Sequence, residues 1–409
     1  MATYKQYAPE FVVRLNGELL PPALRGAVTS VSYQDGIQGA DRVEVTLANP
    51  SLRWLDHPLL SVDTPFSLSI GYAPDPLEEV FVGEITGVEP SFPAGGMPTI
   101  RITAQDFLNR LTRGKKDSSF AVSIPSVGNF PLPDVAVASI VAARNLLIPN
   151  PDPVGGALSV LLTLGSFLSF PGFAQPSVRR QEQTSDFDFL TTVARENGWE
   201  VFIDHTQNPK GRVLKFQFLI QQYTPSVTLD WGSSLIEFTP RLTTVGDVGA
   251  VTTSVWVDSL QMDFVIAVSW DYDRACFNLA IYPKVGGDLK NLLGTSVKGD
   301  TLAIKTDGYA TAARSILTEL LPRLNNRLTG SGSCVGNPEI KASRVIRLNN
   351  LGAQFSGSYR ITQATHTFDA SGYRTSFQVR KEVWFGSIPL PKVGRVVKVP
   401  GEFAAGSGS

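Results

Sequence analysis

The residues through which this chain could do chemistry are three histidines, two cysteines and a few close carboxylate pairs. His57, His205 and His366 have neither of the helical spacings, H-x-x-x-H or H-E-x-x-H, that set two imidazoles on one face around zinc. His366 falls in an alternating apolar–polar run and reads as a structural histidine on a strand. Asp186 and Asp188, or Glu78 and Glu79, could form the carboxylate pair of a glycosidase. Asp186 and Asp188 also follow Ser185, a good N-cap, and carboxylates in a first turn suit the positive end of a helix. Asp271 and Asp273 could offer oxygens to calcium, but the Gly and Glu of a calcium loop are missing. Lys115 and Lys116, after Arg113, read as a solvated basic turn. No G-x-S-x-G elbow and no phosphate-binding P-loop occurs. Cys276 and Cys334 could pair, but without a CxxC motif they read as two buried thiols. The sequence therefore predicts no catalytic residues, no metal and no cofactor.

Composition points the same way. The 409 residues are 43% hydrophobic and 18% charged, which suits an ordered chain of two to four domains. A formal net charge of −1 gives no basic surface for nucleic acid or acidic lipid, and it limits repulsion between packed copies. The first residues lack an apolar stretch and a cleavage site, so assembly in the cytoplasm is expected. Residues 154–173 carry no charge, but glycines, serines and Pro171 interrupt them; a short helix within an interfacial loop is expected, not a membrane span.

The elements that must position these residues are mostly strands. Between residues 11 and 110, six short alternating runs are separated by Pro/Gly turns, with Asn16-Gly17 as a hairpin signal. Asp106 opens a short helix that leads out of this region. Residues 115–230 are mixed: a helix is predicted over 134–147, and a second begins at Ser185. The second carries Phe187, Leu190, Val193 and Ala194 on one face and ends at Asn197-Gly198, where glycine accepts a left-handed cap. From 231 to 390 strands return around one helix over 309–328, and residues 391–409 read as an extended tail.

Two hairpins resemble each other. Phe81 and Gly83 match Phe355 and Gly357, and Phe92 and Thr99 match Phe368 and Thr375, each pair within a strand, F-x-G turn, strand, glycine turn, strand order. A chain holding two similar β domains would present six similar units when three copies assemble.

These motifs resemble the tail hub family that includes the phage late control D proteins and the N-terminal part of VgrG spike proteins. The residues that carry the likeness are Gln181, Ser185, Asp186, Phe189, Leu190 and Gly198-Trp199, then Phe355, Gly357, His366, Gly372, Tyr373 and Thr375, with Phe81 and Gly83 in the N-terminal hairpin. The resemblance implies a mainly β fold: two tube-like antiparallel β-barrel domains, at 1–114 and 231–390, and an intervening α+β domain at 115–230. It implies a homotrimeric structural hub in the baseplate of a phage tail or contractile injection system. That hub would adapt a hexameric tail tube ring to a trimeric spike protein, with tape measure and baseplate wedge proteins as further partners. A glycan-binding or glycan-cleaving β tail protein is the alternative.

Overall fold

The computed structural model describes residues 8–125, 128–167, 178–218, 224–243, 248–257, 262–271, 276–283, 300–305, 318, 322–382, 388–389 and 396–397. Asp273 and most of the predicted 309–328 helix lie outside them, as do 168–173 and most of the tail.

The fold is mainly β, with several antiparallel sheets. The first β unit contains β1 (Ala8–Leu15), β2 (Glu18–Leu19), the one-turn α1 (Pro22–Arg25), β3 (Val28–Gly36), β4 (Arg42–Ala48), β5 (Pro65–Ala73), β6 (Glu78–Ser91) and β7 (Thr99–Gln105). Asn16 and Gly17 both take positive φ, 54° and 82°, as a tight turn between right-twisted strands requires. Inward-facing Val13, Val31, Val45, Leu68, Phe81 and Ile102 build its core. A 3₁₀ helix, Phe107–Thr112, follows, capped by Asp106, whose Oδ1 accepts from Leu108 N at 3.0 Å.

The middle domain contains β8 (Lys116–Ile124), β9 (Gly128–Pro131), α2 (Asp134–Arg144), β10 (Ile148–Pro151), α3 (Pro153–Phe167), β11 (Arg179–Thr184), α4 (Asp186–Asn197), β12 (Trp199–Ile203) and β13 (Val213–Phe218). Its strands form two small sheets, β11-β8-β9 and β10-β13-β12. In α4, the Ser185 hydroxyl accepts from Asp188 N at 3.0 Å, and Gly198 closes the helix at φ 65°. Helix α3 is longer than the interrupted sequence predicts. The Asp152 carboxylate accepts from Val154 N and Gly155 N, which satisfies the orphan donors of its first turn. Gly155 also lets the helix approach the indole, since a Cβ there would lie 2.6 Å from Trp199 Nε1.

The second β unit contains β14 (Val227–Asp230) and β15 (Leu235–Leu242). After an inserted sheet, β16 (Val248–Val257), β17 (Met262–Asp271), β18 (Cys276–Pro283) and β19 (Asp300–Lys305), come β20 (Leu328–Val335), β21 (Val345–Asn349), the one-turn α5 (Gly352–Phe355), β22 (Gly357–Asp369) and β23 (Gly372–Arg380). Because β14 pairs with β21, the chain joins this unit before residue 231. Short strands β24 (Ile388–Pro389) and β25 (Val396–Val397) pair with each other.

The two β units repeat one plan. In the first, the strand order is β3-β4-β7-β6-β5-β1; in the second it is β15-β20-β23-β22-β21-β14, with the same order along the chain. The register repeats as well. Arg42 faces Gln105 and Thr329 faces Arg380; Glu84 faces Gln105 and Arg360 faces Arg380; Pro65 faces Glu84 and Val345 faces Arg360. β-Bulges fall at matching places, at Thr29 and Ile236 and again at Thr86 and Thr362. Both bulged threonine hydroxyls donate across the hairpin, Thr86 to Thr103 O and Thr362 to Gln378 O. Asp63 and Ser343, at equivalent positions, both take positive φ. The exceptions are the last pair, antiparallel for β1–β5 and parallel for β14–β21, and the inserted sheet, which replaces the five-residue link between β3 and β4.

This register corrects the match read from sequence. Thr86 with Thr362 pairs Phe92 with Phe368 but sets Phe81 against Gly357 and Gly83 against Tyr359; Ile100, not Thr99, matches Thr375. Nor is F-x-G a turn. Phe81 and Gly83 lie inside β6, whereas Phe355 ends α5 and Gly357 begins β22. Gly83 answers a close approach, since a Cβ would lie 2.1 Å from the Gln105 carbonyl oxygen.

The units are joined edge to edge. The first part of β22 pairs with β21, and its continuation, Gln363–Phe368, pairs with Gly36–Val31 of β3. The two expected barrels are therefore parts of one continuous hydrogen-bonded sheet. A buried charge network ties the middle domain to the second unit: Arg360 and Arg380 both donate to Glu200 of β12 and to Glu382. Breaking such a network by removing one partner is costly, because it strands a charge in low dielectric.

Candidate functional site

The seam between β22 and β3 gathers one group of buried titratable side chains. On β22, His366 is buried; its Nε2 donates to Ile340 O at 3.0 Å, its Nδ1 accepts from the Tyr373 hydroxyl at 2.8 Å, and the Thr375 hydroxyl lies 3.1 Å from the same nitrogen. Two of the motif residues, Tyr373 and Thr375, thus surround one nitrogen of this imidazole, with Gly372 at φ 107° turning the chain back. Burial lowers the His366 pKa to about 4, so the ring is neutral at neutral pH.

Across the seam, Tyr33 pairs in register with His366, and the rings stack at 5.7 Å. The Tyr33 hydroxyl lies 3.1 Å from Val80 O and 3.4 Å from Asp41 Oδ2. Burial raises the Tyr33 pKa well above its ordinary value. Asp41 ends the β3–β4 link, and its Oδ1 accepts from Gly36 N at 3.0 Å. Asp106 Oδ2 accepts from Asp41 N at 3.2 Å.

From the middle domain, the segment after β12 brings in His205, whose ring lies 5.4 Å from that of Phe81. His205 Nε2 stands 3.3 Å from Asp41 Oδ2 and 3.9 Å from Asp106 Oδ2. Neither imidazole nitrogen has the alignment of a hydrogen bond to any described group. Asp35, next on the same side of β3, accepts from Ala342 N at 2.8 Å. Burial, with Asp41's charge adding, pushes Asp35 up to about 7 and Asp106 to about 8, and burial takes Asp41 to about 7. Burial lowers the His205 pKa, so desolvation favours the uncharged imidazole. A cavity of about 360 Å³ adjoins the cluster, lined by Tyr33, Asp35, Asp204, His205 and Lys341 among others.

The sequence missed this cluster because its members are far apart along the chain. The one available signal was Asp106, readable as a helix cap. The carboxylates that were readable are otherwise engaged. Asp186 is buried and accepts from Lys116, Arg144, Asn145 and Gln181. Burial alone would raise its pKa, but those hydrogen bonds hold it down at about 2. It is an anchor for three elements, more than the first-turn charge that its position suggests. Asp188 accepts from the Ser185 hydroxyl at 2.7 Å, and Glu78 pairs with Lys341. Phe189 stacks on Phe120 in the middle core. Cys334 is a buried thiol whose pKa burial raises to about 12.

In arrangement and topology the chain is similar to known tail proteins. The 43 kDa tail protein of prophage MuSo2 from Shewanella oneidensis superposes with a TM-score of 0.60 at 13% identity, over 91% of this chain and 98% of that one. The tail protein from Neisseria meningitidis MC58 gives 0.59 at 10% identity, over 93% and 98%. The chain has the tail-protein fold. A third match, the E. coli c3393 protein, described as a component of the type VI secretion system, gives 0.54 at 12% identity, over 92% of this chain and 79% of that one. A family model described as the Alg8 N-terminal domain matches residues 174–369. No curated protein matches the chain. Within the tail-protein fold, the motif residues divide by location: Ser185, Asp186, Phe189 and Gly198 frame α4, His366, Gly372 and Thr375 lie at the seam or beside it, and Gly357 opens β22 opposite Leu348 of β21. Among the described residues, no helix is long and apolar enough to cross a membrane.

Proposed function

We propose that three copies of this chain close into a ring that adapts a sixfold tail tube to a threefold spike in a phage tail or injection-system baseplate. The shared tail-protein fold supports the setting. One observation carries the ring: the joint that already exists inside the chain has a vacant counterpart at its edges.

Inside the chain, Gln363–Phe368 of β22 pairs with Val31–Gly36 of β3. By the repeated register, the counterpart would pair residues 87–92, at the end of β6 and just beyond it, with residues 238–243, on the outer edge of β15 and one residue beyond it, in a second copy. Among the described residues β15 is an edge strand, paired only with β20. In that pairing Glu89 would face Arg241 and Ser91 would face Thr239, opposite charges and small polar groups that favour cross-strand contact. Phe92 is 58% exposed in the single chain, whereas its equivalent Phe368 is 6% exposed. Pro90 and Pro240 would also meet. The Ile37 N to Thr362 O bond fixes which residues point their N–H groups across the joint, and both prolines fall at such positions. They offer no N–H there, which discourages indiscriminate edge pairing and leaves recognition to the flanking residues.

The partners of such a ring are the tail tube and spike, with tape measure and wedge proteins nearby. The exposed apolar residues of α3, Val154, Leu161 and Leu164, offer a further surface for a neighbouring protein. The test is mass in solution by light scattering, with oxidative cross-linking of a Glu89→Cys, Arg241→Cys double variant. These positions face each other as a non-hydrogen-bonded pair, where Cα atoms come within about 4.5–5.5 Å and a disulfide can form. A trimer and a cross-linked three-chain species support the ring. A monomer at every concentration, without cross-links, overturns it.

A further inference from the structure

Asp41, Asp106 and His205 come from two parts of the molecule, the aspartates from the first β unit and the histidine from the middle domain. All three are buried, and one ligand atom from each lies within 4.8 Å of the others. His205 is 6% exposed, and both of its ring nitrogens lack hydrogen-bond partners, which is costly for a buried imidazole. Around it stand four buried carboxylates, Asp35, Asp41, Asp106 and Asp204, while the nearby Lys341 is engaged with Glu78 and Lys215 stands 3.8 Å from Asp204. Such a group needs neutralising by protons or by a cation.

We propose that Asp41, Asp106 and His205 bind one divalent transition-metal ion of the zinc class, which staples the middle domain to the first β unit. One imidazole nitrogen with two carboxylate oxygens is a donor set that zinc accepts, with bonds of about 2.0–2.2 Å. Tetrahedral bonds of that length set donor atoms about 3.4 Å apart. The observed 3.3 and 3.9 Å to His205 Nε2 are close to that spacing before any adjustment. Both carboxylates are already oriented: Gly36 N holds Asp41 Oδ1, and Leu108 N holds Asp106 Oδ1, so each turns Oδ2 toward the imidazole. Backbone donors of this kind fix metal ligands in place. Water from the adjoining cavity can supply a fourth ligand, and the cavity gives the ion a way in. This assignment departs from the absence of metal expected from sequence, and it is independent of whether the chain forms a ring.

The experiment uses the full chain, stripped with a chelator and titrated with Zn²⁺ by calorimetry, and separately with Co²⁺ followed by visible absorption. One Zn²⁺ per chain, Co²⁺ bands of a low-coordinate site and a raised melting temperature are expected. Asp106→Asn retains the helix cap, and His205→Phe retains the contact with Phe81. Each should weaken Zn²⁺ binding at least about tenfold, as loss of metal-site residues does. Absence of stoichiometric binding and Co²⁺ bands in the wild-type chain overturns the proposal, whatever the variants do. So does wild-type affinity in both variants. In either case the cluster is balanced by protons alone.

Discussion

In the second β unit Phe368 is packed between Phe11 and Tyr373, its ring stacked on the tyrosine at 4.0 Å. In the first unit its equivalent, Phe92, follows β6 into solvent. The backbones around the two agree in strand order, register and bulge, so the difference is not one of folding instructions. It is a difference of neighbours: the second unit has the first beside it, and among the described residues no strand pairs with that edge of the first. A side chain conserved in place but not in burial marks where a duplicated scaffold offers the same socket twice and fills it once.

Three experiments would break or sharpen that comparison. Phe368→Ala should cost about 3–5 kcal/mol of stability, the usual loss for a buried phenylalanine, while Phe92→Ala should change chemical denaturation of the isolated chain by less than about 0.5 kcal/mol. Equal effects would mean that the seam does not set the two positions apart. Next, the neutral His366 ties stability to pH. Its folded pKa of about 4 lies below the unfolded value of about 6.5, so the unfolded state binds the extra proton. The contribution is intact above pH 6.5 and declines as pH falls toward 4, by about 3 kcal/mol in all. Denaturation at pH 7 and pH 4.5 should show a smaller pH effect in His366→Gln than in the wild type; identical effects would remove His366 as the source. The smallest effects concern the bulges. Thr86→Val and Thr362→Val should each cost about 1 kcal/mol, the worth of one hydrogen bond, and the two melting shifts should match. A clear mismatch would show that the second bulge depends on the seam and not on the shared register.

Much of this plan could be read from the residues. The hairpin at Asn16-Gly17, the six early strands and the helix framed by Ser185 and Gly198 follow from local rules of turn and cap chemistry, which act over a few neighbours. The duplication was visible in outline, but its register was misread by two residues at Phe81 and Gly83. F-x-G recurs by coincidence of composition, whereas the true markers, Thr86 and Thr362, are defined by backbone pairing that no residue type announces. The cluster at Asp41, Asp106 and His205 was illegible for a related reason. Its members converge only because β3, β7 and the segment after β12 are brought together by the fold, and isolated acids and a lone histidine look alike in any soluble chain.

The inserted sheet of β16 to β19 has one further consequence. It interrupts only the second unit, where the first makes do with a short link. An assembly built from three such chains would therefore repeat its strand framework at every position but this extra module at every other one. In the proposed ring, one polypeptide would in this way present a finer rotational order toward one neighbour and a coarser order toward another, without a second gene product to convert between them.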